Sequence, residues 1–173
     1  MKNQELTYSF FEFLKEKKGK NFPLIFKLKG GYELTKEDLY IEGDLNFDRN
    51  SWDIKSLPDN LTVTGNLNML NSNIIHLPNN LHVGKNLILD PHFVESLGEN
   101  LYVGKDLFLY GTTLKTLPDN MYIGRVLNLC SSSIKSLPKN LHVGAILDLT
   151  GTNIEKLPDD LYVGTEIIGH DKF

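Results

Sequence analysis

Residues 101–120 read LYVGKDLFLYGTTLKTLPDN, and the next two stretches of twenty repeat the pattern as MYIGRVLNLCSSSIKSLPKN and LHVGAILDLTGTNIEKLPDD. Leu-Pro recurs at residues 57, 77, 117, 137 and 157, with Leu97-Gly98 in the remaining slot. A strict period of this length is typical of a solenoid, in which each repeat forms one coil and neighbouring coils bury one another's apolar side chains.

Six positions of the repeat are apolar in coil after coil. In the repeat around residue 101 they are Leu101, Val103, Leu107, Leu109, Leu114 and Leu117. The two apolar-x-apolar segments predict short β-strands whose middle residue faces outward, because alternate residues of a strand point to opposite faces. Stacked coils then form parallel sheets around six internal apolar rows.

Glycine follows the first strand of the repeat, and asparagine precedes it. Glycine at such a corner meets a need for either a positive φ or a close approach of another backbone, and it stands at residues 84, 104, 124, 144 and 164. Asparagine suits a turn because its side chain can hydrogen-bond neighbouring backbone, which we expect at residues 60, 80, 100, 120 and 140, with Asp160 last.

The repeat continues upstream with one change of spacing. Leu39, Ile41, Leu45 and Phe47 align with the following repeat at a spacing of 22 residues, which places a two-residue insertion within residues 48–53. We therefore expect a repeat solenoid of about seven coils over residues 39–173.

Residues 1–38 differ from the repeats and predict an N-terminal cap. Leu6, Phe10 and Leu14 fall on one helical face, which predicts a helix over residues 4–18, and the apolar run 22–28 predicts a strand. The predicted fold is thus a β-solenoid-like stack of parallel strands with an N-terminal α/β cap. The alternative is an amphipathic helix that binds a membrane or a partner, since lysines cluster beside phenylalanines in this segment.

The last coil has no capping element of this kind in residues 164–173. An open edge of parallel strands is a ready pairing surface, so either charged residues protect it or a second chain covers it. The second possibility predicts a homodimer formed through the C-terminal coil.

Composition narrows the classes of partner. The chain has 18 Lys+Arg against 22 Asp+Glu, a net charge of −4, which gives no general attraction to nucleic acid or to anionic membranes. Residues 39–173 carry 10 basic against 16 acidic side chains, which favours a protein partner with a basic surface. The single Cys130 and the absence of a secretory signal pattern predict a cytoplasmic protein without a disulfide framework.

The segment Leu107-x-Leu109-x-x-Thr112-x-Leu114-x-x-Leu117-Pro118 returns as Leu147-x-Leu149-x-x-Thr152-x-Ile154-x-x-Leu157-Pro158. It resembles the bacterial-type leucine-rich repeat, whose coils also run about 20 residues. The resemblance covers about residues 39–169. It implies a horseshoe or rod of parallel strands that binds proteins, usually through outward residues of the Leu-x-Leu strand.

Two features depart from that family. The position that is normally asparagine carries Ser72, His92, Thr112, Ser132 and Thr152, so hydroxyl groups would have to satisfy the backbone of the turn. The additional Leu-x-Val-Gly strand implies a flatter coil.

Functional information must lie in the outward positions, because packing fixes the inward rows. The predicted partner-binding residues are Asn68, Ile88, Asp90, Phe108, Tyr110, Asn128 and Asp148. Stacking makes Ile88, Phe108 and Tyr110 neighbours, and an exposed apolar cluster with a polar rim is typical of a protein-binding hot spot. The alternative is that these residues only stabilise the sheet through cross-strand pairing.

The outward row of the other strand is a series of rings, namely His82, Tyr102, Tyr122, His142 and Tyr162. Rings at strand spacing either stack on one another or offer an aromatic platform for a sugar or a peptide. The platform keeps open a carbohydrate-binding or lyase-type β-solenoid as the alternative function.

Enzyme signatures are weak in the sequence. The histidines lack metal-ligand spacing, and there is neither a phosphate-binding glycine loop nor a nucleophile elbow. We therefore expect no cofactor and no enzymatic activity. The favoured function is an inhibitor or adaptor, for instance a phage or bacterial protein that blocks a host or defence protein by steric occupation.

Overall fold

The computed structural model describes residues 22–47, 54–70 and 72–170. This part of the chain contains an α-helix, α1 (Phe22–Gly30), and a 3₁₀ turn (Glu37–Leu39). The strands are β1 (Tyr40–Ile41), β2 (Leu45–Asn46), β3 (Thr62–Val63), β4 (Leu67–Asn68), β5 (His82–Val83), β6 (Leu87–Ile88), β7 (Tyr102–Val103), β8 (Leu107–Phe108), β9 (Tyr122–Ile123), β10 (Val126–Asn128), β11 (His142–Val143), β12 (Ile146–Asp148), β13 (Tyr162–Val163) and β14 (Glu166–Ile168).

Two parallel sheets of seven strands each run along the stack. One contains the odd-numbered strands and the other the even-numbered strands, both in chain order. Each strand pairs with the strand 20 residues later, as Tyr102 does with Tyr122, and the first step is 22 residues, as Leu45 pairs with Leu67. The predicted β-solenoid of parallel strands is confirmed. The proposed insertion in residues 48–53 lies outside the described residues.

The core follows the six apolar rows. Leu101, Val103, Leu107 and Leu109 are at most 1% exposed, whereas the middle residues Tyr102 and Phe108 reach the surface. The coils on either side therefore bury the apolar side chains of each coil. A truncation such as Leu→Ala in these rows lowers the free energy of unfolding by about 2–5 kcal/mol. None of the described helices is long and apolar enough to cross a bilayer.

The corner glycines are required by close approach and not by a positive φ. The five glycines lie outside the left-handed region, and a Cβ added at Gly104 would overlap the carbonyl oxygen of Gly84 on the preceding coil. The same overlap recurs between Gly124 and Gly104. The sequence left open whether these glycines provide a positive φ or room for another backbone, and the structure shows that they provide room for the preceding coil.

The asparagines before the first strand bind one another, and the prediction that they bind neighbouring backbone is wrong. Asn60, Asn80, Asn100, Asn120 and Asn140 have φ between 53° and 64°. From Asn80 onward, each side-chain amide donates to the side-chain oxygen of the asparagine one coil earlier, over 2.9 Å from Asn80 to Asn60 and 2.8 Å from Asn100 to Asn80. Asparagine tolerates the left-handed conformation, and its side-chain amide both donates and accepts hydrogen bonds. Asparagines at the same position of successive coils therefore form a ladder of hydrogen bonds. Asp160 does bind backbone, but on the preceding coil and not in its own turn, since its carboxylate accepts from the Asn140 backbone N–H at 3.0 Å.

The segment predicted as a strand over residues 22–28 is instead the helix α1. Its apolar residues do not alternate with polar ones, and a short apolar run cannot distinguish a strand from a buried helix. Leu24 is 1% exposed and joins the solenoid core, with Leu28, one helical turn later, packed against it. The helix predicted over residues 4–18 lies outside the described residues.

An ion pair fastens α1 to the 3₁₀ turn. Lys27 Nζ donates to Asp38 Oδ2 at 2.6 Å, and the backbone N–H of Thr35 donates to the same oxygen at 2.7 Å. Desolvation by burial raises the pKa of Asp38, but these hydrogen bonds and the Lys27 charge outweigh it and hold that pKa below its usual value. Leu24 thus joins the solenoid core, and a largely buried ion pair holds its helix against the 3₁₀ turn.

The strands β13 and β14 are the outermost members of their sheets. Leu161, Val163 and Ile167 are only partly buried, although their counterparts one coil earlier are fully buried. The homodimer through this coil stays a prediction, and light scattering on the purified full chain tests it: a monomer at millimolar concentration would contradict it.

Candidate functional site

The outward side chains of β6 and β8 bring apolar residues together on the surface. Ile88 and Phe108 stand on paired strands and line one groove, and Tyr110 follows Phe108 on the same outward side. Phe108 is 54% exposed and Tyr110 57%. Leu70 and Phe93, which is 70% exposed, line a second groove on neighbouring coils. We call Leu70, Ile88, Phe93, Phe108 and Tyr110 the apolar patch.

The four polar residues predicted for partner binding have a local structural role. Asn68, Asp90, Asn128 and Asp148 each accept, through Oδ1, a backbone N–H two residues ahead, at 2.9–3.2 Å. Such side-chain turns fix the chain where it leaves the sheet. Of the predicted site residues, the apolar three are therefore free to contact a partner, whereas the polar four are engaged in turns.

Leu70 and Phe93 were not among the predicted site residues. Phe93 lies in the turn that follows Asp90, outside both strands, so no strand pattern singles it out. The signal that could have found it is a departure from the repeat, because the same position elsewhere carries the small or polar residues Asn73, Thr113, Ser133 and Asn153.

The rings on the other sheet form one continuous stack, which we call the ring ladder. Successive centroids from His82 to Tyr162 are 4.1, 4.6, 4.6 and 4.3 Å apart, with interplanar angles of 2–12°. The faces of the three inner rings are thus covered on both sides by other rings. Only ring edges and the polar groups on them remain for contact with solvent along most of the ladder.

Burial affects the first ring of the ladder. Desolvation lowers the pKa of His82 below its usual value, so its imidazole is neutral at pH 7. A neutral ring stacks on Tyr102 without placing a charge in this partly buried position.

Three of the four hydroxyl groups at the position that is asparagine in leucine-rich repeats hydrogen-bond backbone, as the sequence predicted. Ser72 and Thr152 donate to backbone carbonyls three residues earlier at 2.9 and 2.8 Å, and Thr112 donates to the carbonyl of Pro91 at 2.9 Å. Ser132 Oγ is buried and has no hydrogen-bond partner among the residues that the structure describes.

A second constellation of polar residues was not predicted. His76 Nδ1 lies 2.9 Å from Ser96 Oγ, and His76 Nε2 lies 3.8 Å from Glu95 Oε2. The three residues meet because His76 and Ser96 form a parallel bridge between neighbouring coils. The period itself could have revealed the pair, because residues 20 apart are neighbours.

Comparison with known proteins adds no identification. No family model, curated protein or solved structure matches this chain. Within residues 22–47, 54–70 and 72–170, no group of three or more His, Cys, Asp or Glu side chains is arranged to hold a metal ion.

Proposed function

We propose that this solenoid binds another protein through the apolar patch and acts by occupying the partner's surface. The observation that carries the proposal is the joint exposure of Phe93, Phe108 and Tyr110 on neighbouring coils. Large aromatic side chains that enter a partner's pocket supply much of the binding energy of protein interfaces.

The backbone beneath the patch supports this proposal because it is rigid. Met69 N–H donates to the Ile88 carbonyl at 2.7 Å, and Leu109 N–H donates to the Asn128 carbonyl at 2.8 Å. Residues held in this way lose little conformational entropy on binding, so more of the contact energy contributes to affinity.

The class of partner follows from charge and from the repeat. Residues 39–173 have an excess of six acidic side chains, which favours a partner with a basic surface. The resemblance to bacterial-type leucine-rich repeats also supports protein binding. An inhibitor or adaptor of phage or bacterial origin that blocks a host or defence protein fits a surface that binds without chemistry of its own.

The carbohydrate-binding alternative has less support. A sugar stacks on the face of an aromatic ring, and the ring ladder uses those faces internally at 4.1–4.6 Å. The outer face of a terminal ring is the remaining platform, which is small for an oligosaccharide.

Photo-crosslinking tests the proposal at single positions. Benzoylphenylalanine replaces Phe108 in one variant and Tyr40, an exposed outward strand residue at the other end of the stack, in a control variant. We expect a partner that crosslinks at residue 108 and not at residue 40, and the identified partner is then purified and titrated against the unmodified chain.

The titration decides the outcome. Phe108→Asp is expected to weaken the purified complex by about 30-fold or more, since hot-spot side chains contribute about 2 kcal/mol or more. Tyr40→Asp should leave the affinity unchanged. Equal affinities for Phe108→Asp and the wild type would overturn the proposal, as would a partner that crosslinks equally at both positions.

A further inference from the structure

Three side chains on neighbouring coils have the chemistry of a nucleophile, a base and an orienting carboxylate. We propose that Ser96, His76 and Glu95 form an acyl-transfer site, at which Ser96 Oγ attacks the carbonyl carbon of an ester with an apolar acyl group. The activity does not require protein binding by the apolar patch, although its acyl groove shares Leu70 and Phe93 with that patch.

The backbone sets the positions of the three residues. Leu77 N–H donates to the Ser96 carbonyl at 3.0 Å, and Glu95 N–H donates to the Ile75 carbonyl at 2.7 Å, so the two coils are tied together on both sides of the pair. In this register the imidazole Nδ1 and the Ser96 hydroxyl are 2.9 Å apart, within the reach of a general base and its nucleophile.

The carboxylate of Glu95 selects the ring tautomer that the reaction needs. Its oxygen Oε2 lies 3.8 Å from Nε2, on the opposite side of the ring from Ser96. A negative charge there favours a proton on Nε2, which leaves Nδ1 free to accept the proton of Ser96. The order carboxylate, imidazole and hydroxyl is the one that activates a serine in hydrolases on unrelated folds.

Two grooves meet at this constellation and differ in character. One, of about 770 Å³, is lined by His76 and by Leu70, Ile75 and Phe93, with Lys55, Ser72 and Asn73 completing its wall. Its three large apolar side chains make it suitable for an acyl chain. The other, of about 420 Å³, is lined by Ser96 and by Lys115. An ester with its acyl chain in the first groove would have its carbonyl next to Ser96. Lys55 lines the first groove and Lys115 the second, so either ammonium is a candidate to stabilise the developing oxyanion.

The reaction balances without any further reactant than water. Ser96 Oγ adds to the ester carbonyl carbon while its proton moves to His76 Nδ1. The tetrahedral intermediate expels the alcohol oxygen, which takes that proton, and an acyl ester remains on the serine. Water then attacks the acyl carbon, gives a proton to His76 Nδ1, and releases the carboxylic acid as Ser96 Oγ regains the proton.

The expected rate is modest because the site is open to water. The side chains of His76 and Glu95 are 58% and 65% exposed, so their electrostatic interactions act in a high dielectric. General-base catalysis supplies about 10²–10⁴-fold, and we expect a value near the lower end, about 100-fold, with activated esters as the substrates that react measurably.

Hydrolysis of p-nitrophenyl butyrate by the full chain tests the site. We expect a nitrophenolate burst, and peptide mapping by mass spectrometry should place one butyryl group on Ser96. Ser96→Ala should abolish the burst, and His76→Ala should reduce the acylation rate about 100-fold. The matched control is Ser136→Ala, which removes an exposed hydroxyl from the same row two coils later and should change neither quantity.

Glu95 acts as a positioning residue, and its variants separate that role from simple structural support. Glu95→Gln should lower kcat with little change in KM, and Glu95→Asp should restore part of the loss. Equal unfolding midpoints for all variants show that the fold is intact. Acylation on lysines in place of Ser96, or identical hydrolysis by the wild type and Ser96→Ala, would overturn the proposal.

Discussion

The ring ladder lies on one sheet, and Ile88 and Phe108 of the apolar patch lie on the other sheet, yet the two sets of side chains have different roles. Tyr102 and Tyr122 stack face to face with their ring centroids 4.6 Å apart, so each ring covers one face of the other. Ile88 and Phe108 are also neighbours, but Asn128 follows them in the row, and the two side chains are 36% and 54% exposed. Rings that follow one another in a solenoid row stack and cover one another's faces. Side chains of different shape do not stack, and they leave exposed surface that a partner can contact.

Geometry explains this difference. Neighbouring parallel strands lie about 4.8 Å apart, which is close to the distance at which aromatic rings stack. Rings at the same position of neighbouring strands are therefore already at stacking distance. The row Asn68, Ile88, Phe108, Asn128 and Asp148 mixes shapes that cannot stack. The ladder should therefore contribute to stability and the patch to binding, and four tests follow in order of expected effect.

The largest effect is expected when the spacing shared by both rows is disturbed. In Gly104→Ala the new Cβ would overlap the backbone carbonyl of Gly84, and backbone cannot rotate away as a side chain can. We expect a loss of about 3 kcal/mol in the free energy of unfolding, measured by urea denaturation. The adjacent exposed Lys105→Ala serves as control and should stay within about 0.5 kcal/mol of the wild type. A tolerated Gly104→Ala would mean that the coils are not held at this spacing.

The second substitution breaks the ring ladder alone. Thr62 stands at the start of the same outward row, so Tyr122→Thr introduces a residue that the row already accommodates. The variant loses two ring contacts, and we expect about 2 kcal/mol of destabilisation by urea denaturation. A double-mutant cycle with Tyr102→Thr should give a coupling energy of about 1 kcal/mol. Strict additivity of the two substitutions would contradict direct stacking.

The third test separates the two roles of the asparagine ladder. Asn100→Gly keeps a residue that accepts φ of 57° but removes both side-chain hydrogen bonds, so we expect a loss of about 1 kcal/mol. Asn100→Ala also introduces backbone strain and should lose about 2 kcal/mol. Chemical denaturation of both variants measures the difference. If alanine is no worse than glycine, the left-handed backbone is not a constraint at this position.

The smallest effect is a pH dependence at the start of the ring ladder. Because burial lowers the pKa of His82, the unfolded chain binds a proton more readily, and stability from this residue is complete above the unfolded value near 6.5 and falls as the pH drops toward the lowered value. His82→Tyr keeps the stack and removes the titration. Its unfolding free energy should depend less on pH between 7.5 and 5.5 than that of the wild type, and parallel curves would refute the assignment.

The features of the fold that depend on the 20-residue period could be predicted from the sequence. The inward rows, the two strands of each coil and the parallel register follow from apolar residues that recur every 20 positions, because a solenoid places such residues in contact. The ring stack was one of two open readings, since the sequence alone does not fix the orientation of Tyr102 relative to Tyr122.

What lacks a repeat was predicted less well. Residues 22–28 form a helix because tertiary packing of Leu24 decided between two structures that the apolar run allows equally. The sequence did not predict that Asn128 and Asp148 each accept the backbone N–H two residues ahead, because only coordinates reveal these turns. The role of these residues in binding stays a prediction. His76 and Ser96 share no motif along the chain, and coil stacking alone brings them together.

A paired measurement of unfolding free energy tests the contrast between ring ladder and patch most directly. Phe108→Asn and Tyr122→Thr each replace an aromatic residue by one that its own row carries elsewhere, at Asn128 and at Thr62. We expect Phe108→Asn to remain within about 0.5 kcal/mol of the wild type and Tyr122→Thr to lose about 2 kcal/mol. Equal losses in the two variants would show that Phe108 is a structural residue and would contradict the account.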